Sequence, residues 1–310
     1  MKAFFYDNYT FPLPPEHRFP VPKYPGLRQR LLETGILSTA DLHNPEPATK
    51  EQLLLVHTPE YVEKILQGTI DEREMRRIGF PWSQGLVERS RRSVGATIAV
   101  CRAALEDGIA ASLAGGTHHA YPDHGEGYCV FNDVAVAVRT MQQEQRISRA
   151  LIIDLDVHQG NGTAAIFSAD PNVFTFSVHG QKNFPFHKEV SDLDIALPDS
   201  SGDDIYLEAV EIGLRQALSS ISADLAVYLA GADPFADDRF GRMAVSKTGL
   251  AARDGLVFEA CQQSGLPVAL LMSGGYARNV EDIVDIHTET IRQAAAVWHD
   301  YHMYRLKRVS

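Results

Sequence analysis

Seven side chains of this sequence have the types and spacing for metal-assisted hydrolysis: Asp154, Asp156, His158, Asp233, His118, His119 and Tyr276. Asp156 and His158 stand two apart, so in an extended segment they share one side, and a third ligand from another strand, for which Asp233 is the choice, could close a metal site. Two oxygen donors and one nitrogen donor with an open position suit a catalytic zinc, and iron or another divalent ion would accept the same set. On spacing alone, the Asp154-x-Asp156-x-His158 run also has a purely structural reading, as a helix cap or a salt-bridge network. His118 and His119 follow Gly115-Gly116-Thr117, and glycines there let backbone and side chains crowd a pocket. In isolation, such a pair is as often a satisfied core histidine beside a solvated one. Amide hydrolysis needs a base beside a metal-activated water and a donor for the developing oxyanion. Tyr276, on the Gly274-Gly275 turn, could be that donor or could merely close the turn.

These residues act together only if the fold gathers them. From Ala110 onward, short apolar runs (Ala110 to Ala114, Ala150 to Asp154, Val173 to Val178, Leu225 to Ala230, Pro267 to Met272) alternate with segments of helical period. The helical segments lie near Asp133 to Gln143, Gly162 to Phe167, Asp204 to Leu218, Leu250 to Gln262 and Val280 to His299. That alternation predicts an α/β fold with a parallel sheet covered by helices on both faces. Four of the five runs lead directly into the residues named above, and open parallel sheets bind ligands at the carboxyl ends of their strands. Near the start, Ala3 to Tyr6 reads as a strand and Leu27 to Thr34 as helix-like. Between them, Phe11 to Pro25 holds six of the sixteen prolines and reads as an ordered surface loop. With no internal repeat and no composition break, residues 1–310 read as one domain.

Composition narrows the function classes. At 310 residues the chain is about twice the usual domain length, a range that includes single large α/β domains. It has 29 Lys and Arg against 40 Asp and Glu, and the formal net charge of −11 argues against nucleic acid as a partner. The same acidity would steer cationic substrates at long range, within the limits of screening. No stretch approaches the roughly 18 apolar residues of a membrane helix, and Asp7 comes too early for a signal peptide, so a cytoplasmic protein beginning at Met1 is expected. Cys101, Cys129 and Cys261 have no paired spacing, which suggests neither a disulfide framework nor a thiolate zinc site. Tyr301 to Ser310, with Arg305, Lys307 and Arg308, reads as a solvated end.

Five ordered motifs carry a resemblance. Gly115-Gly116-Thr117-His118-His119, Gly127-Tyr128-Cys129-Val130-Phe131-Asn132-Asp133, Asp154 to Gly162, Gly231-Ala232-Asp233 and Gly274-Gly275-Tyr276 together resemble the histone-deacetylase-like zinc amidohydrolases. Weaker similarity, including His57-Thr58-Pro59-Glu60-Tyr61, extends over nearly the whole chain. His158-Gln159-Gly160-Asn161-Gly162 and Asp238-Arg239 look closest to the class IV branch and its bacterial relatives.

The resemblance implies the arginase-deacetylase fold, with a mainly parallel eight-stranded sheet. It implies zinc on Asp156, His158 and Asp233, His119 as general base and then acid, and His118, held by Asp154, as an electrostatic stabiliser. Tyr276 would hold the oxyanion, and a structural potassium would sit partly on Asp154 and Ser177. Gly127, Tyr128 and Phe184 would line an acyl-lysine channel, with Phe240 at its rim or in the core. The substrate implied is an acylated lysine in a protein or peptide, with acetyl or longer acyl groups. A small acetylated amine such as a polyamine is the alternative, and a silent acyl-lysine-binding zinc protein a more remote one. An arginase-like two-metal enzyme would need a second set of bridging carboxylates, which is not visible. Oligomeric state is not legible.

Three departures from the family pattern stand out. Asn161 occupies the place of a class I aspartate beside His119, and a neutral amide favours the imidazolium less, so Asn161→Asp is expected to raise the titration of the base. No acidic residue near Gly79-Phe80-Pro81 matches the class I rim aspartate that grips substrate backbone, and Ser273 replaces a family glycine.

Overall fold

The fold was described from a computed structural model covering residues 1–6, 13–14 and 16–309, with side chains through residue 299. The expected surface loop at Phe11 to Pro25 falls partly outside these residues, and the side chains of the expected solvated end fall wholly outside them.

Among the described residues, eight strands form one sheet: β1 (Ala3–Phe4), β2 (Leu42–His43), β3 (Ile109–Ser112), β4 (Ala150–Asp154), β5 (Val173–Gly180), β6 (Leu193–Leu197), β7 (Leu225–Leu229) and β8 (Val268–Leu271). Their order across the sheet is β2-β1-β3-β8-β7-β4-β5-β6, and every pairing is parallel. β3, β4, β7 and β8 are buried at every position, which requires cover on both faces and explains their unbroken apolar runs. β6 alternates half-buried and exposed positions at the edge and ends on a buried Leu197, a pattern not read from the sequence.

The helices are α1 (Lys23–Glu33), α2 (Lys50–Leu53), α3 (Pro59–Gln67), α4 (Glu72–Ile78), α5 (Gln84–Asp107), α6 (Asp133–Gln143), α7 (Asn161–Phe167), α8 (Asp203–Ser220), α9 (Lys247–Gln263) and α10 (Val280–Val309). α1 begins inside the proline-rich stretch, four residues earlier than the sequence reading. Pro22 at its N-cap and Pro25 in its first turn are places where a missing N–H costs nothing. α5 packs against α6 and the centre of the sheet, starting at Ser83, whose side chain accepts from the Leu86 amide at 3.1 Å. No helix of the described residues is long and apolar enough to cross a membrane.

The topology does one thing for chemistry. β3, β8, β7 and β4 are consecutive in the sheet although far apart in the chain, so the loops leaving their carboxyl ends meet at one place.

Candidate metal centre and its cavity

Those four loops carry the seven side chains named at the outset. Asp154 closes β4, and Asp156 and His158 follow it. Asp233 lies just beyond β7, His118 and His119 beyond β3, and Tyr276 beyond β8. Asp156, His158 and Asp233 are buried, and one ligand atom from each lies within 4.8 Å of the others. His158 Nδ1 is 2.9 Å from Asp156 Oδ1 and 3.2 Å from Asp233 Oδ2.

The carboxylates are held by donors that leave one direction free. Asp156 Oδ2 accepts from Ser273 Oγ at 2.7 Å and from the Gly274 amide at 2.8 Å, and Asp233 Oδ1 accepts from the Val157 amide at 2.9 Å. A side chain at Gly274 would stand 1.9 Å from Asp233 Oδ2, so only glycine permits this approach. Arg253, fully buried, donates to the Gly231 carbonyl at 2.6 Å and fixes the loop that delivers Asp233. Asp233 Oδ2 is buried with no hydrogen-bond partner. An unsatisfied buried carboxylate oxygen beside a second carboxylate and an imidazole is a donor set short of one cation, and a divalent metal fits it.

Electrostatics agree with that reading. Burial and the neighbouring Asp156 push Asp233 up to about 7. Burial opposes the charge on His158, but its hydrogen bond to Asp156 and the close carboxylate charges of Asp156 and Asp233 prevail and raise it to about 10. Without a metal, the two carboxylates therefore hold a proton on His158.

The two further histidines are held differently. His118 Nδ1 lies 2.6 Å from Asp154 Oδ2, and although burial disfavours its cation, Asp154 and Asp156 lift it to about 9. His119 Nδ1 lies 2.6 Å from Asn161 Oδ1, the first residue of α7. Burial first, then the nearby His118 and His158, hold it well below the usual histidine range, so it is neutral at neutral pH. Asn161 Nδ2 donates to Glu126 Oε1 at 2.8 Å and to Tyr121 Oη at 3.1 Å, so its oxygen faces the ring. His119 therefore carries its proton on Nδ1 and leaves Nε2 as an acceptor.

Tyr276 has its amide tied to Asp238 Oδ2 at 2.6 Å. Asp238 also accepts from the amides of Phe240 at 2.8 Å and Gly241 at 2.9 Å, so one carboxylate positions both the phenol and a rim aromatic. Burial, followed by the charges of Asp156 and Asp233, pushes the Tyr276 phenol well above its usual range and keeps it an O–H donor.

A cavity of about 620 Å³ leads to the cluster, with Tyr128, Phe184, Phe240 and Tyr276 among its walls and His119 and His158 at its floor. Phe184 meets the His119 ring edge-on at 5.0 Å between centroids, and Phe240 lies 5.0 Å from Tyr276. Gly127 has φ +56°, and a Cβ there would come within 2.7 Å of His119 and 3.0 Å of Phe184. Phe240, for which rim and core were both open, lines the cavity and is partly exposed. The net acidity of the chain does not extend to this opening, where the exposed charges are Arg77, Lys182, Arg239 and Arg242.

Ser177 sits opposite Asp154 in the β4–β5 register, and its hydroxyl lies 2.9 Å from His179 Nδ1. Sequence reasoning missed Glu126 behind Asn161, the Ser273 hydroxyl on Asp156, and two buried cations, Lys23 and Arg89, that line a smaller cavity beneath Tyr276 with Tyr24. Lys23 Nζ lies 3.2 Å from the Gly275 carbonyl, and its sequence signal was a lone lysine in the apolar Phe19 to Pro25 end of the proline-rich run.

A family model described as Histone deacetylase domain matches residues 17–291. The chain belongs to the histone deacetylase family. It is 46% identical to an uncharacterized protein of Picosynechococcus sp., over 95% of this chain and 98% of that one. It is 28% identical to Histone deacetylase 2 of Arabidopsis thaliana, over 91% of this chain and 75% of that one. Among solved structures, a histone deacetylase homolog complexed with SAHA superposes with a TM-score of 0.82 at 22% identity, covering 95% of this chain and 84% of that one. The eight-stranded parallel sheet is thus the arginase-deacetylase fold, and family membership makes the chain an amidohydrolase of the deacetylase type, in a family that generally uses a metal ion.

Proposed function

We propose that this protein is a zinc-dependent deacylase that hydrolyses the Nε-acyl amide of acylated lysine. The observation that carries the reading is the convergence of three side chains able to hold a metal ion, two differently held histidines and one phenol at the inner end of an aromatic-walled cavity, which His119, His158 and Tyr276 line directly. A divalent ion on Asp156, His158 and Asp233 would polarise the acyl carbonyl and acidify a water.

The remaining chemistry belongs to the chain. His119 Nε2, kept neutral and unprotonated by its surroundings, accepts the proton of the attacking water and later delivers it to the leaving amine. His118, cationic beside Asp154, stabilises the negative charge that develops nearby. Tyr276 donates its hydroxyl to the oxyanion. Tyr128 and Phe184, with Phe240 at the rim, give the lysine methylenes an apolar wall, which favours their leaving water while the carbonyl alone keeps polar contacts. In this reading Asp154 and Asn161 set the protonation states of the two histidines, and Asp154 and Ser177 are retained as partial ligands of a structural potassium.

The test is a panel of acetyl-, butyryl- and myristoyl-lysine peptides and acetylated polyamines incubated with zinc-loaded protein, with products identified by mass. Release of carboxylate and free lysine supports the reading, and no cleavage of any acyl-lysine overturns it.

A further inference from the structure

The cavity opens between Arg77, Lys182, Arg239 and Arg242, all four exposed, and the carboxylate among its lining residues is Glu126. Glu126 is half-buried and turned inward onto Asn161 Nδ2 at 2.8 Å. The charge at the mouth is therefore opposite to the net −11 of the whole chain. Arg242 is partly neutralised by Asp199 at 3.2 Å, and Arg239 donates to the Arg278 carbonyl at 3.2 Å. Arg77, at the end of α4, and Lys182, just after β5, have no ion pair among the described residues. Arg18, also exposed, is close enough to act electrostatically on the Tyr128 phenol.

Unpaired guanidinium and ammonium groups around an apolar-walled pocket favour an anion at the outer end of whatever enters it. The acyl end of a substrate lies at the floor, so the outer end belongs to the amine half. We propose that the amine half carries a carboxylate near the base of the lysine stem, supplied either by acidic neighbours in a peptide or by the free α-carboxylate of acyl-lysine itself. This rests on the deacylase reading above and names its substrate class. A carrier with positive charges of its own, such as an acylated polyamine, meets like charge at the mouth.

The experiment compares kcat/KM for acetyl-lysine peptides flanked by Glu, Gly or Lys, for free Nε-acetyl-lysine and its α-amide, and for an N-acetylated polyamine, at low salt and at ~0.5 M salt. The Glu-flanked peptide is expected to exceed the Lys-flanked one by about tenfold at low salt and by about twofold at high salt. A preference for free acetyl-lysine over its amide identifies the α-carboxylate as the source, and a preference confined to the peptides identifies flanking residues. In an Arg77→Glu, Lys182→Glu double variant the Glu-to-Lys preference is expected to invert. Equal rates across the charge series, or a polyamine preferred, overturns this inference alone. A panel with no turnover overturns the deacylase reading and this inference with it.

Discussion

Glu126 is the sharpest test of how the base is prepared. Its carboxylate accepts from Asn161 Nδ2 at 2.8 Å, and that contact points the Asn161 oxygen at His119. A hydrogen bond to a charged group contributes about 1.5–3 kcal/mol, and for a half-buried acceptor the lower end applies, which is about tenfold in population. In Glu126→Ala, Asn161 Nδ2 keeps only Tyr121 Oη at 3.1 Å. The amide can then rotate and present its NH₂ to His119 Nδ1, which favours the tautomer with its proton on Nε2 and no lone pair to accept with. We predict that Glu126→Ala lowers kcat about tenfold on an acetyl-lysine peptide, with KM and metal content nearly unchanged. Glu126→Gln, whose carboxamide oxygen still accepts, stays within about threefold. Steady-state rates, metal content and melting temperature on the three proteins decide the matter. A metal-loaded Glu126→Ala enzyme with kcat within about twofold of wild type would refute the reasoning, because Asn161 would then be oriented without Glu126. The same contact changes the expectation for Asn161→Asp. Alone, that substitution puts two carboxylates at hydrogen-bond distance, so the rise in the titration of the base is expected only with Glu126→Gln present.

Four further outcomes follow from other contacts. Tyr276→Phe should fold and bind metal normally yet turn over about 10²-fold more slowly, and near-normal turnover would remove the phenol from the mechanism. Ser273→Gly removes the 2.7 Å bond to Asp156 but relieves a non-glycine residue at φ 56°, so metal affinity, measured by titration, should fall about tenfold while the melting temperature of the metal-free protein holds or rises. In chelator-treated protein, His118 and His158 have folded-state values raised to about 9 and about 10, so their stabilisation is full below the unfolded value near 6.5 and is lost as pH rises through 9 to 10. Melting curves across that range should show the loss, and metal binding near neutral pH should release a proton measurable in buffers of different ionisation enthalpy.

What the sequence discloses depends on how strongly each residue's environment marks it. β4 was legible to the residue because four buried apolar positions run without interruption up to Asp154, and Asn132 and Gln143 bracket α6 with a cap and an end to its apolar period. α5 was not legible: its buried stripe includes Arg89, Ser90, Ser93, Gly95 and Thr97, which blur the helical contrast between apolar and polar faces. β2 has two residues, too few for any period, and of the strand read over Ala3 to Tyr6 only Ala3–Phe4 is formed. The Asp156–His158 pair was visible because its two members are local in the chain, whereas Glu126 lies 35 positions from Asn161 and has no motif of its own. The basic mouth was hidden for a related reason. Net charge sums the whole chain, and the four cations come from three separate segments that only the fold assembles.

The most direct test of the central claim is metal stoichiometry in wild-type protein and in Asp233→Ala, by titration of zinc into chelator-treated samples with the fold monitored alongside. One ion per chain in the wild type, lost in a folded Asp233→Ala, is the predicted result. A wild-type chain that takes up no divalent ion, or an Asp233→Ala chain that binds it as tightly, would contradict the account.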